Sequence, residues 1–322
     1  MDEFELIKSI KQKTYYQKSL IKGIDDDAAI FQPSGYDVVT AMDTFVQDIH
    51  FSHKTTSYFQ VGYRALAANI SDMAAMGAYP KFYLVSIVIP ANMSEQQIFD
   101  IYKGMKALAS KFKMDLIGGD TVSGKQLTIS ISIIGYVEKG KARYRHLAKH
   151  NDIVFVTGTL GGSRAGLYVL LNDLPTENNE ELIKKHQLPN PRVLFSTSLK
   201  KIERMSLNDI SDGIANELYE IAEASNVTIT IDDKLIPIHP QLSQFPLEKQ
   251  TEWKYFGGED FELVGTVSPN DWPYIQQRAK EISLQVTEIG KVTYNKDSNG
   301  QVYVIKNNQK HLLNKGGYVH LK

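Results

Sequence analysis

Cysteine is absent from the 322 residues, which excludes disulfides, thiolate nucleophiles and cysteine-ligated zinc or iron–sulfur sites together. Neither charge dominates. Lys and Arg number 36 against 37 Asp and Glu, for a formal net charge of −1, so no broad basic field is available for a nucleic-acid backbone or an anionic membrane. Any phosphate contact must be local. No run approaches the ~18 apolar residues of a membrane span, and the opening MDEFELIKSIKQK has no apolar signal core. The expected location is cytoplasmic, with neither nucleic acid nor membrane as partner. With 42% apolar and 23% charged residues, the chain reads as soluble and globular, and its length suits two domains with a core each.

What is present is a set of acidic residues at Gly, Ser and Thr corners. These are Asp25-Asp26-Asp27, Asp43-Thr44, Ser71-Asp72, Gly118-Gly119-Asp120, Asp209-Ile210-Ser211-Asp212-Gly213 and Gly257-Gly258-Glu259-Asp260. Any one corner is explained by turn chemistry, since Asp bonds its own backbone and Gly accepts positive φ. As a set separated by apolar segments they point to divalent cations. Mg²⁺ takes hard oxygen ligands and is commonly held by one or two carboxylates together with substrate phosphates.

Strand and helix patterns alternate. Residues 37–42 (DVVTAM) and 82–89 (FYLVSIVI) read as strands. Ser94 with Gln97 forms a capping box before a helix carrying Ile98, Ile101, Tyr102, Met105, Leu108 and Phe112. In QLTISISIIGYV, Leu127, Ile129, Ile131 and Ile133 alternate with Thr128, Ser130 and Ser132, the period of a sheet with one buried face. The basic, turn-rich segment 139–152 marks a boundary between domains 1–140 and 141–322.

After it, IVFVTG leads through Thr159-Leu160-Gly161-Gly162 into a helix carrying Leu167, Leu170 and Leu171, a corner open to an anion. Asp209 to Gly213 stands before a helix striped by Ile214, Leu218, Ile221 and Ala222. Ser211 or Asp212 caps the helix there, or Asp212 and Asp209, two acids at one helix entrance, hold a metal. VTITI (227–231) and FELVGTV read as strands, and 234–252 as loop. Asp72 lies in ALAANISDMAAMGA, a run apolar enough for a buried helix, and needs a partner. Arg64 is one candidate; a metal shared with Asp27, Asp43 and Asp120 is the other. His50 has no metal-ligand spacing to another His.

Taken together, GIDDDAA (23–29), Asp43-Thr44 through His50-Phe51, NISDMAAMGA (69–78), GGDT (118–121), DISDG (209–213) and GEDFEL (258–263) resemble thiamine-monophosphate kinase over nearly the whole chain. That family sits in an ATP-binding superfamily with aminoimidazole ribonucleotide synthetase, selenophosphate synthetase and a hydrogenase-maturation protein. The resemblance implies an α/β (α+β) fold of two domains. The first, with a mixed sheet and helices, would bind ATP and metal and form the dimer; the second, an α/β sandwich, would complete the ATP and substrate sites.

The implied activity is transfer of phosphate from ATP to thiamine monophosphate with Mg²⁺, by a homodimer. The implied metal ligands are Asp27, Met42 through its carbonyl, Asp43, Asp72, Asp120, Asp209 and Asp212, of which Asp72, Asp120 and Asp212 carry the catalytic role. Tyr102, Gly119, Asp120, Arg145 and Ser211 fall where the family contacts ATP, and His50, Glu259 and Tyr318 where it contacts thiamine phosphate. Two departures stand out. Asp25 replaces the usual Gly, and Ala41-Met42 replaces a Ser-Thr pair, removing a hydroxyl ligand. Two other readings stay open: a superfamily enzyme acting on a purine-precursor amide, and a non-catalytic binding protein.

Overall fold

The computed structural model describes residues 9–12, 14–22, 29–294 and 300–317. The chain is α/β and divides into two compact units, one running to Gly140 without Ala74–Gly77, the other comprising Ala74–Gly77 and everything from Lys141.

In the first unit, β1 (Leu20–Lys22) pairs antiparallel with β2 (Ile30–Phe31). The main sheet has four strands, β3 (Tyr36–Val46), β4 (Tyr79–Pro90), β5 (Asp115–Gly124) and β6 (Thr128–Glu138), in the order β3-β6-β4-β5. It is mixed. β6 pairs antiparallel with β3 and β4, whereas β4 and β5 run parallel, which requires a crossover. Helix α2 (Glu95–Lys111) makes it, starting from the predicted capping box of Ser94 and Gln97. Helix α1 (Tyr58–Ala75) is buried at every residue from Val61 to Ser71, as expected of a helix without a continuous polar face. The alternation read in β6 holds: Ile129, Ile131 and Ile133 are fully buried, and Thr128, Ser130 and Ser132 are half-buried.

The second unit is built on a seven-stranded mixed sheet. Its strands are β7 (Ile153–Thr157), β8 (Met205–Asp209), β9 (Thr228–Asp232), β10 (Leu263–Val267), β11 (Val286–Thr293), β12 (Val302–Lys306) and β13 (Gln309–Leu312), in the order β13-β12-β9-β11-β7-β10-β8. Its helices are α3 (Gly162–Leu171), α4 (Glu180–Gln187), α5 (Val193–Ser198), α6 (Ile214–Ser225), α7 (Leu247–Phe256) and α8 (Trp272–Glu281). Val154 and Val156 of β7 join a cluster with Ile214, Leu218 and Ile221 of α6, while Phe155 packs against Trp272 of α8 at 5.7 Å. Neighbouring strand residues face opposite ways, so helices cover both faces of this sheet.

Two local expectations are corrected. In α3 the buried face is Gly162, Ser163, Ala165, Gly166 and Val169, not the leucines; Leu171 is 46% exposed. A Cβ on Gly166 would stand 2.0 Å from the Leu182 carbonyl oxygen, so small residues let α3 and α4 touch backbone to backbone. Residues 234–252, read as loop, contain a 3₁₀ turn at Pro240–Gln244 and most of α7.

Candidate active site

The first unit places Asp43 on the face of β3 that α1 covers. The Asp43 amide donates to Asn69 Oδ1 at 3.2 Å, and Asn69 Nδ2 donates to the Ala65 carbonyl at 3.0 Å. Asp72 follows Asn69 by three residues, which puts it on the same side of the helix, and it is half-buried between buried Ser71 and Met73. Asn69 thus ties the Asp43 backbone to the helix that carries Asp72. Burial pushes the Asp43 carboxyl pKa above its ordinary value.

Asp120 belongs to the opposite end of the same sheet. Asp43 pairs with Ile131, Ile131 with Val85 and Val85 with Gly119, a row three strand spacings wide, or about 14 Å. Asp120 is exposed, and its Oδ1 accepts the Thr121 amide at 3.0 Å. Gly119 has a reason to be glycine: its φ is 158°, and a Cβ would stand 2.0 Å from the Val85 carbonyl oxygen. Met42 points the other way from Asp43, with its side chain 61% exposed. The Val46 amide donates to His50 Nδ1 at 3.1 Å and the imidazole stacks on Phe45, so Nδ1 is an acceptor and the proton of the neutral ring is on Nε2. Tyr102 lines a cavity of about 210 Å³ with Tyr16, Tyr83, Lys103 and Lys106, and burial raises its hydroxyl pKa. Asp27 lies outside the described residues, as does Asp25.

In the second unit three segments converge on the Asp209–Gly213 turn. The Glu259 amide donates to the Ser211 carbonyl at 2.7 Å, the Phe261 amide to Ile210 at 3.0 Å, and the Ile210 amide to Glu262 at 2.8 Å. Backbone pairing alone therefore seats Glu259 beside Ser211. The tail arrives there too, since a Cβ on Gly317 would be 2.4 Å from the Asp212 carbonyl oxygen; Tyr318, the next residue, lies outside the described residues. Asp209 is buried at the end of β8, and Ser211 and Asp212 are half-buried.

Beneath this turn is a polar layer that sequence reasoning missed. Buried Glu217 accepts the Asp212 amide at 3.2 Å and Asn208 Nδ2 at 2.6 Å. Burial, then the neighbouring Asp209 and Glu220 charges, pushes its carboxyl up to about 9. Its position between Ile214 and Ile221 on the apolar stripe of α6 was the available signal. Arg145, in a 3₁₀ turn at Arg145–Leu147, donates from Nε to Asn208 Oδ1 at 3.0 Å and lies 3.2 Å from Glu220.

The Gly161-Gly162 corner is not open to an outside anion. Asp260 fills it, its carboxylate accepting the Gly161 amide at 2.6 Å and the Ser163 amide at 3.0 Å. Glu262 is likewise committed: fully buried, it receives Arg192 Nε at 2.6 Å, the Thr157 hydroxyl at 2.8 Å and Lys185 at 3.2 Å. Of the GEDFEL acids, Glu259 is the half-buried one and stands at the turn.

Among the described residues, no group of three or more His, Asp or Glu side chains gathers closely enough to hold one ion, and no helix is long and apolar enough to cross a membrane. Residues 25–137 match the family described as AIR synthase related protein, N-terminal domain. The thiamine-monophosphate kinase of Bacillus subtilis (strain 168) is 45% identical over 100% of both chains. A crystal structure of thiamine-monophosphate kinase from Stenotrophomonas maltophilia K279a superposes with a TM-score of 0.85 at 31% identity, covering 94% of this chain and 96% of that one. The structure of AaThiL complexed with AMPPCP and TMP superposes with a TM-score of 0.78 at 30% identity, covering 99% and 97%.

Proposed function

The chain belongs to the thiamine-monophosphate kinase family, and from that premise we propose that it moves the γ-phosphoryl group of ATP directly onto the phosphate of thiamine monophosphate, releasing thiamine diphosphate and ADP. The observation that carries this reading is the full-length identity of 45%, joined to an oxygen-only set of acidic corners with no cysteine to act as a nucleophile.

The donor set suits Mg²⁺. Carboxylate oxygens are its preferred protein ligands, and burial raises the Asp43 carboxyl pKa, a shift that a bound cation would oppose. We assign Asp27, Asp43, Asp72, Asp120, Asp209, Asp212 and the Met42 carbonyl to hold the ions. Substrate phosphates and water would supply the remaining oxygen ligands. Bound metal would neutralise charge on the transferring oxygens.

The side chains then need only bind and orient. A phosphate monoester has its second ionisation near about 6, so the acceptor is already anionic at neutral pH and no strong base is required. Arg145 balances charge on the ATP phosphates beside Ser211. Gly119 brings the Asp120 backbone close to the nucleotide, and Tyr102 lines the nucleotide's surroundings. His50 presents Nε2–H and Glu259 its carboxylate to thiamine phosphate, and Tyr318 offers an aromatic wall whose attraction for a cationic ring is worth about 0.5–2 kcal/mol.

The active form is a homodimer built through the first unit. On the face of its sheet turned away from Asp43, Tyr36, Val38 and Met42 of β3 are 51%, 48% and 61% exposed, an apolar surface that a second copy would bury. ADP release that depends on thiamine monophosphate and not on purine-precursor amides tests the reaction; release with an amide alone contradicts it, and tight binding of both ligands without turnover marks a binding protein.

A further inference from the structure

We propose that Asn208 positions Arg145 for the ATP phosphates and couples it to the Asp209–Gly213 turn, a role that rests on the kinase reading above. Asn208 is 1% exposed, on the strand that ends at Asp209. Its Oδ1 accepts Arg145 Nε at 3.0 Å, and its Nδ2 donates to Glu217 at 2.6 Å and to Glu220 at 2.9 Å. Glu217 in turn accepts the Asp212 amide at 3.2 Å, and Glu220 reaches Arg145 Nη2 at 3.2 Å. One side-chain amide therefore stands between a guanidinium on its acceptor side and two carboxyl groups on its donor side.

Few side chains could replace it. A carboxylate lacks the donors, an aliphatic side chain lacks both poles, and a hydroxyl is too short to span both neighbours. The Arg145 backbone is fixed independently: Ser225 Oγ donates to the Arg145 carbonyl at 2.8 Å and accepts the Ala148 amide at 3.1 Å. With Nε and Nη2 engaged among the described residues, the guanidinium has a set plane while its side chain stays 52% exposed. That is a preorganised cation rather than a buried structural one, and preorganisation favours an anionic ligand by removing its ordering cost.

The test is a double-mutant cycle on the full-length protein with Asn208→Leu, Arg145→Ala and both together. Steady-state kinetics are combined with calorimetry of Mg²⁺ and a non-hydrolysable ATP analogue. The expected result is a rise of about fivefold or more in KM for ATP and in the analogue's Kd with Asn208→Leu. The KM for thiamine monophosphate should move less than twofold, and the substitution should have no further effect once Arg145 is Ala. An ATP effect of equal size in both backgrounds, or a change confined to the unfolding temperature, overturns the proposal. If Asn208→Leu does not fold, Asn208→Ser takes its place in the cycle with the same expectations. Wild-type protein that binds no ATP analogue would sink the kinase reading itself; binding with additive mutants sinks only the role of Asn208.

Discussion

The Gly161 amide donates to the Asp260 carboxylate at 2.6 Å, so the acid of one turn closes a glycine corner 99 residues away. Asp260 also takes the Ser163 amide, which makes it the cap of α3 supplied from a distant segment. Asp260→Ala should lower stability by about 1–3 kcal/mol, read as a shift of the urea midpoint with the slope unchanged. An unchanged midpoint would show that the cap is dispensable.

Glu262 gives a pH dependence with a definite sign. Burial alone would raise its carboxyl pKa, but Arg192, followed by Lys185 and Thr157, holds it below the ordinary carboxylate value. A depressed folded-state pKa contributes stability that is present above the unfolded pKa and lost as pH falls through the folded one. Glu262→Gln should therefore cost about 3–5 kcal/mol at neutral pH, because Arg192, whose side chain is 17% exposed, loses its counter-charge, and the gap to wild type should narrow below about pH 4. Thermal unfolding across that range checks both parts.

Gly119 is held by strand packing and belongs to the proposed ATP site. Gly119→Ala would press a Cβ against the Val85 carbonyl at a cost of about 1–3 kcal/mol, and by parting β5 from β4 it should also displace Asp120. A fall in kcat larger than the loss of stability explains is expected. Wild-type kinetics in the variant would remove Gly119 from the site.

For the carboxylates, Asp72→Asn and Asp120→Asn should each lower turnover by a factor of about a hundred or more, with circular dichroism and unfolding temperature close to wild type. Wild-type rates at saturating Mg²⁺ would remove both residues from the chemistry.

The exposed face of β3 makes a prediction about assembly. Val38→Glu should shift the protein from dimer to monomer in sedimentation while leaving the inward-facing core intact, since Val38 is 48% exposed. A wild-type monomer, or a dimer untouched by the substitution, contradicts the proposed interface.

Much of the fold was legible because its signals are periodic. β6 shows its alternation residue by residue, and α2 carries both halves of its capping box. α7 was not legible. Its first residue, Leu247, is 76% exposed and only Trp253 and Tyr255 are buried, so no stripe marks it. In α3 the packed face consists of small residues that carry little hydrophobic signal. The acidic corners were visible as a set, but their division of labour was not: Asp260 and Glu262 turn inward to backbone and to Arg192, while Glu259 stays at the turn. Asn208 was invisible because an amide in the short mixed strand MSLND shows no partner until the fold supplies Arg145 and Glu217. Asp27 and Tyr318 lie outside the described residues and rest on the family likeness.

The most direct test follows the transferred group. Protein, Mg²⁺, thiamine monophosphate and ATP carrying isotope only in its γ-phosphoryl group are combined, and the products are read by mass. The account predicts that the label appears in thiamine diphosphate in equal amount to the ADP formed, and that Asp72→Asn suppresses both. Label found only in inorganic phosphate, or ADP formed at the same rate without thiamine monophosphate, would contradict it.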